Sequence, residues 1–281
     1  MTDGRMAGMT PEWICSTKLT DEQVAVFYLG QEGILLKYRN QTLVIDPYLT
    51  DYVDRNCATE AVPWKRLYPA PLCPEGLSFT DFVLCTHPHF DHADPDTLSR
   101  LAAASTGVRF IAPAPMRDSM LSYGIPRDRL TEAIADVPIT CGEFTVVPVP
   151  AAHEVLRQDS EGRYEEVGYI VLMGDLRIFH AGDCCIYDGL EERIRGTDAM
   201  FLPINGRSYF KNREDIIGNM TAEEAISLAS RTEAGMLVPL HHDLYAVNGV
   251  NPAIFVDMIT AYAPSLRYHI FKPGERYILC R

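Results

Sequence analysis

Apolar residues in this 281-residue chain come in short runs broken by turn-forming residues, the pattern of many short strands and amphipathic helices. Val24 to Leu29, Gly33 to Tyr38 and Leu43 to Ile45 read as strands linked by tight turns at Gly30 to Gly33 and Arg39-Asn40, the third ending at Asp46-Pro47. A proline-rich stretch without a period follows at about 48–80, with Pro63, Pro69, Pro71 and Pro74. Its Trp64, Leu67 and Tyr68 predict a packed lid or insertion with no secondary structure of its own. Phe82 to Cys85 reads as a buried strand. The helix after it has Asp94 as N-cap, Pro95 in its first turn and Leu98, Leu101 and Ala102 on one face.

The alternation of strand and helix continues. Val108 to Ala112 is strand-like and leads to a helix opened by Pro115, carrying Met116, Met120 and Leu121 and stopped by Gly124. Phe144 to Val149 is a strand ending at Ala151-Ala152-His153, and Val167 to Met173 pairs with Leu176 to Phe179 through a Gly174-Asp175 turn. Ala199 to Ile204 is a strand followed by a polar loop through Asn219. Thr221 and Glu224 form a capping box for a helix that buries Ala225, Leu228 and Ala229 and ends at Gly235. The strand Met236 to Leu240, a helix near Pro252 to Ala261 and two terminal strands complete the chain. No repeat or shift in composition divides it, so the reading is one α/β domain over residues 1–281, with ligand-type residues at strand ends.

Composition narrows the options. With 25 Lys+Arg against 38 Asp+Glu the net charge is −13, which excludes a basic nucleic-acid binder. At 47% hydrophobic and 22% charged residues the chain is globular. A chain this long buries roughly three quarters of its unfolded surface, so a bound metal would serve chemistry more than stability. No apolar run approaches the ~18–20 residues that cross a bilayer. The start, Met1-Thr2-Asp3-Gly4-Arg5-Met6, lacks a signal-peptide pattern, and the eight scattered cysteines read as reduced thiols, so the expected location is the cytoplasm, away from membranes.

The strongest local signal is His87-x-His89-x-Asp91-His92, four ligand-capable side chains in six residues directly after a buried strand. Unpaired at that position they would cost several kcal/mol each, roughly 2–7 by transfer scales, so they need a common partner. A divalent cation is the natural one. His87 and His89 point the same way in an extended turn, while Asp91 and His92 can wrap to a second position about 3.5–4 Å away, the separation of two-metal hydrolytic sites.

HxHxDH after a strand resembles the metallo-β-lactamase superfamily, and further elements follow in that family's order along the whole chain. Leu43 to Pro47 is similar to the early strand whose terminal aspartate, here Asp46, supports the metal loop. His153 falls where the third ligand of the first metal is expected, Asp183 in His180-Ala181-Gly182-Asp183 matches the bridging aspartate, and His241 matches the last ligand of the second metal. The resemblance implies a four-layer αββα fold of two mixed β-sheets between helices. It also implies one metal on His87, His89 and His153, a second on Asp91, His92 and His241, and Asp183 shared. Imidazole and carboxylate ligands suit manganese, zinc or iron, one or two per chain.

Single positions have plainer alternatives. His153 alone would be an ordinary strand-end histidine and Asp183 a turn residue. His180 sits on a strand and fits a supporting hydrogen bond better than metal ligation. Strand alternation lets only one of His241 and His242 face the metals; the family pattern favours His241 and leaves His242 to contact substrate as a catalytic residue or to do nothing, while Asp91 is the second catalytic candidate, orienting the nucleophile or shuttling its proton. Cys184 and Cys185 read as small buried residues.

Within the superfamily, the C-terminal half is similar to the L-ascorbate-6-phosphate lactonase group, in Gly182-Asp183, in Gly206 and the loop to Asn219-Met220-Thr221, and in Pro239-Leu240-His241-His242-Asp243-Leu244-Tyr245 followed by Asn251-Pro252. The lactonase proper is longer, with a larger insertion before the Gly-Asp strand. The resemblance implies hydrolysis of a small anionic, phosphorylated lactone or ester by a metal-bound hydroxide. Arg207, Lys211 and Arg213, three cations within seven residues, are the candidate anion site; the alternative is a solvated loop whose cations balance Glu214 and Asp215. The expected partners are a small anionic substrate and further copies of the chain, with no nucleic acid. Competing functions are a phosphodiesterase acting on a small nucleotide and a non-catalytic metal-binding sensor.

Overall fold

The computed structural model describes residues 9–281. The start from Met1 to Met6 lies outside them. The first sheet begins with an antiparallel meander, β1 (Gln23–Gly30), β2 (Gly33–Tyr38) and β3 (Gln41–Ile45). Parallel strands β4 (Phe82–Leu84), β5 (Arg109–Pro113) and β6 (Leu130–Ala133) then extend it. The second sheet runs β7 (Ile139–Cys141), β8 (Phe144–Pro150), β9 (Val167–Met173) and β10 (Leu176–His180) antiparallel, followed by parallel β11 (Ala199–Pro203) and β12 (Leu237–Leu240). The last strand, β13 (Arg276–Cys280), returns to pair with β1.

Helices cover both outer faces, which completes the four expected layers. Short α1 (Pro11–Ser16) and α2 (Tyr52–Asn56), with α3 (Pro95–Ala104) and α4 (Arg117–Ser122), accompany the first sheet; α5 (Leu190–Ile194), α6 (Tyr209–Arg213), α7 (Ala222–Arg231) and α8 (Pro252–Tyr262) accompany the second. This layering explains why the strands read as unbroken apolar runs. On β1, Val24, Val26 and Tyr28 enter the core between the sheets, while Ala25, Phe27 and Leu29 pack under Leu98, Leu101 and Met120. On the other side Phe179, Met200 and Leu202 pack against Ala225, Leu228 and Phe255. The Asp94 cap of α3 and the Thr221–Glu224 capping box of α7 both form.

Several sequence expectations change. The terminal segment forms β13 alone, with residue 268 making only an isolated bridge to Leu237. Helix α7 stops at Arg231 with Thr232 as its cap, before Gly235, because the Thr232 hydroxyl and amide both bond to the Leu228 carbonyl. The polar loop after β11 contains α6. The proline-rich segment contains α2 and a 3-10 turn at Pro74–Leu77, and Leu67, expected inside, is 62% exposed. Strand β7 was hidden by its length, although the Gly142-Glu143 pair before β8 is a hairpin signal.

Strand direction places the site. β1 and β3 run the same way, as do β8, β10, β11 and β12, so Gln31, Asp46, His153, Asp183 and His241 all follow C-terminal strand ends at one edge of the sandwich.

Candidate metal centre

The turn after β4 carries His87, His89, Asp91 and His92 to that edge, where they meet residues up to 154 positions away in the chain. His87, His89, His153 and Asp183 form one group and Asp91, His92 and His241 another, with one donor atom from each residue within 4.8 Å of the rest of its group. Asp183 stands between the groups. Its Oδ1 is 3.4 Å from Nε2 of both His92 and His241, and its Oδ2 is 3.6 Å from His153 Nε2 and 3.9 Å from His87 Nε2.

The partners behind the imidazoles fix their tautomers. Asp46 accepts from the Thr86 amide at 2.8 Å, the Thr86 hydroxyl at 2.6 Å and His92 Nδ1 at 2.8 Å. Since a carboxylate only accepts, His92 carries its proton on Nδ1 and presents Nε2 to the site. The Thr86 hydroxyl directs its one O–H at Asp46, so at 3.0 Å its oxygen accepts from His87 Nδ1, which again leaves Nε2 facing inward. Gly182 makes room for this arrangement: at φ +58°, a Cβ there would meet the Thr86 side chain at 2.8 Å. Buried His87 Nε2, His92 Nε2 and Asp183 Oδ1 have no hydrogen-bond partner among the described residues. Orphaned donor atoms of this kind, converging from imidazoles and carboxylates, fit a cation.

Electrostatics agree with the geometry. Burial pushes His87 and His89 below the usual imidazole range and His153 down to about 4, so these rings are neutral, the form that ligates metal. Burial acts the same way on His92 and His241, but the carboxylates of Asp183 and Asp91 outweigh it, raising His92 to about 10 and His241 well above its ordinary value. The edge is thus built to attract positive charge. Backbone strain gathers there too: Gln31, Asp46, Glu154, Asp215 and His241 all have positive φ, five of the eight non-glycine residues so found among those described.

Two supporting residues carried no sequence signal. Gln31 Nε2 donates to Asp91 Oδ2 at 2.8 Å and lies 3.2 Å from His241 Nε2. Glu32 is fully buried with both carboxylate oxygens unpartnered, and burial followed by the Asp183 charge pushes its carboxyl well up. Glu32, Asp46 and His180 form a third group beneath the first two. There His180 orients, because its Nε2 donates to the Glu32 carbonyl at 2.8 Å and its Nδ1 accepts from the Gly182 amide at 3.2 Å. Only the turn between Gly30 and Gly33 was legible beforehand.

A cavity of about 390 Å³ opens onto the cluster. His89, Asp91, His153, Asp183 and His241 line it, whereas His242 does not; that ring is buried with Nδ1 unpartnered, so the contact to substrate expected of it is not seen. The cationic loop also departs from expectation, since Arg207, Lys211 and Arg213 do not line the cavity. Arg207 pairs with Glu224 and bonds to Cys185 Sγ and the Asn219 carbonyl. The turn of α6, capped by Ser208, drives Lys211 inward, where Nζ donates to the Asn205 and Gly206 carbonyls at 2.6 and 3.2 Å. Arg213 points to solvent, its side chain 70% exposed and 3.8 Å from Glu214. Cys184 and Cys185 are buried thiols, as expected.

The proline-rich segment supplies part of the cavity wall through Val53, Cys57 and Trp64. It is held down by the loop after β12. Tyr245 bonds to the Tyr48 hydroxyl and Asp54, each at 2.7 Å, and meets the Trp64 ring edge-on at 5.1 Å. Tyr68 donates to Asp243 at 2.7 Å.

Two mixed sheets between helices, with imidazoles and carboxylates converging where the strands end, constitute the metallo-β-lactamase fold. The chain belongs to the beta-lactamase superfamily: residues 41–242 match the family described as Beta-lactamase superfamily domain. Over 225 residues it is 28% identical to an uncharacterized protein of Mycobacterium bovis, a match covering 78% of this chain and 58% of that one, so the chain spans little more than half of that relative's length. A UPF0173 metal-dependent hydrolase of Pyrococcus horikoshii is 27% identical over 261 residues, 90% of this chain and 98% of that one. Among solved structures, the metallo hydrolase Igni18 of Ignicoccus hospitalis aligns with a TM-score of 0.68 at 18% identity, over 92% of this chain and 98% of its own, a likeness of fold.

Proposed function

We propose that this chain is a metal-dependent hydrolase of small esters or lactones. The observation that carries the reading is the convergence of seven ligand-type side chains, five of them lining the cavity, with Asp183 turning one oxygen to each group. His87, His89 and His153 with Asp183 would hold one cation, and Asp91, His92 and His241 with Asp183 a second. A mixed set of imidazoles and carboxylates suits zinc, manganese or iron. Bound there, a divalent cation acidifies water and polarises the scissile carbonyl.

The remaining work falls to the chain. Water adds to the acyl carbon, the acyl–oxygen bond breaks, and the proton lost by water ends on the leaving oxygen. Asp91 is placed to carry that proton, since it lines the cavity and Gln31 fixes one of its oxygens. Asp46 and Thr86 keep His92 and His87 in the tautomers that present Nε2. A phosphorylated lactone, as in the ascorbate-6-phosphate lactonases, would need an anion site. The three cations that would supply it lie away from the cavity, so the reading rests on the ester or lactone bond and not on a phosphate.

The test is metal analysis of the purified protein beside hydrolysis of an ester and lactone panel, before and after chelation. Turnover that disappears with the metal and returns with zinc or manganese is expected. Full activity in metal-stripped protein or in Asp183→Ala would overturn the proposal, and so would two bound metals with no turnover of any ester or lactone.

A further inference from the structure

The cavity beside the metal cluster has two unlike halves. Its floor is imidazole and carboxylate. Its walls are apolar, with Val53 and Trp64 from the proline-rich segment on one side and Phe90, Ile216 and Ile217 on the other. Among the described residues no lysine or arginine lines it, and the single charged side chain outside the cluster is the exposed carboxylate of Asp215 at the rim. Of the nearby cations, Lys211 is engaged by backbone carbonyls, Arg207 by Glu224, and Arg157 by Glu166 at 3.0 Å. A substrate anion placed between these walls, away from the cluster, would lose its hydration with no cationic side chain beside it to replace it, and would face Asp215 at the entrance.

The walls are also preformed. Phe90 packs on Tyr52 at 4.8 Å between ring centroids, and Trp64 is held edge-on by Tyr245, which is itself anchored through Tyr48 and Asp54. An apolar guest would therefore remove wall and guest surface from water without first ordering the wall. We propose that this is a subsite for an uncharged, apolar portion of the substrate, so that the enzyme selects neutral esters or lactones with a hydrocarbon substituent over anionic ones. The inference rests on the hydrolase reading for its chemistry, though the subsite can be probed apart from it.

The experiment compares kcat/KM of the metal-loaded enzyme for p-nitrophenyl acetate, butyrate and hexanoate with that for p-nitrophenyl succinate and adipate, whose far ends carry carboxylates. The rate constant should rise about fourfold for each methylene buried, and each carboxylate-ended ester should fall at least tenfold below its neutral counterpart. Ile217→Lys should reverse the charge preference. In parallel, calorimetric titration with 2-heptanone should show binding to the wild type that Ile217→Lys weakens at least tenfold. A flat or falling dependence on chain length, or a preference for the carboxylate-ended esters, overturns the subsite. If no ester or lactone is turned over, the hydrolase reading fails by itself and the ketone titration decides the subsite: binding lost in Ile217→Lys upholds it, and no binding or equal binding ends it.

Discussion

The His87–His92 turn and the Asn205–Arg213 loop look alike as sequence, each concentrating polar, ligand-capable residues after an apolar strand, yet they meet opposite fates. In the first, the three histidines and Asp91 converge with groups from distant strands, and donor atoms are left without partners at the centre. In the second, Arg207, Lys211 and Arg213 either find partners within their own neighbourhood or point to solvent. Density of charge along a chain therefore says little about binding. What matters is whether local backbone and side chains already satisfy the groups.

The comparison can be broken at several strengths. Asp183→Ala should have the largest effect, abolishing hydrolysis and lowering bound metal in elemental analysis. Chelation should then lower the melting temperature of the wild type and leave that of the variant unmoved, since a ligand stabilises only the state that binds it. Asp46→Asn, which touches no substrate, should weaken metal affinity about 10–100-fold in a competition titration, because it loosens Thr86 and the His92 tautomer together. Gly182→Ala should cost about 1–3 kcal/mol in denaturant unfolding, because it forces a positive φ on a residue with a Cβ directed at Thr86.

The cationic loop should affect stability without touching turnover. Lys211→Met should destabilise the fold by about 1–3 kcal/mol through two unsatisfied carbonyls while leaving KM for neutral esters unchanged. Arg213→Ala should stay within about 0.5 kcal/mol of wild-type stability with an unaltered kcat/KM. A tenfold loss of kcat/KM in that last variant would return the loop to the substrate site.

Much of the architecture was legible because its signals are local. The capping box at Thr221 and Glu224, the Asp94 cap and the Gly174-Asp175 hairpin each depend on residues a few positions apart, and each formed where expected. The seven residues brought together in the cluster were likewise readable, the turn from its own spacing and His153, Asp183 and His241 through the family resemblance. Short or irregular pieces were not. Strands β6 and β7 are too brief to show a period, and α2 and α6 are single turns whose existence depends on what they pack against.

By itself, then, the sequence determined the layered α/β class and the residues gathered at the strand ends, because hydrophobic periodicity and motif spacing are properties of the chain. Tertiary structure alone decided that the buried Glu32 carboxylate has no hydrogen-bond partner among the described residues, that Gln31 holds Asp91, and that Lys211 turns inward. It also decided that the wall of the cavity is built from Val53, Trp64, Phe90 and Ile216. Burial, partnership and the chemistry of a cavity depend on which distant residues arrive beside one another, and no window along the chain contains that information.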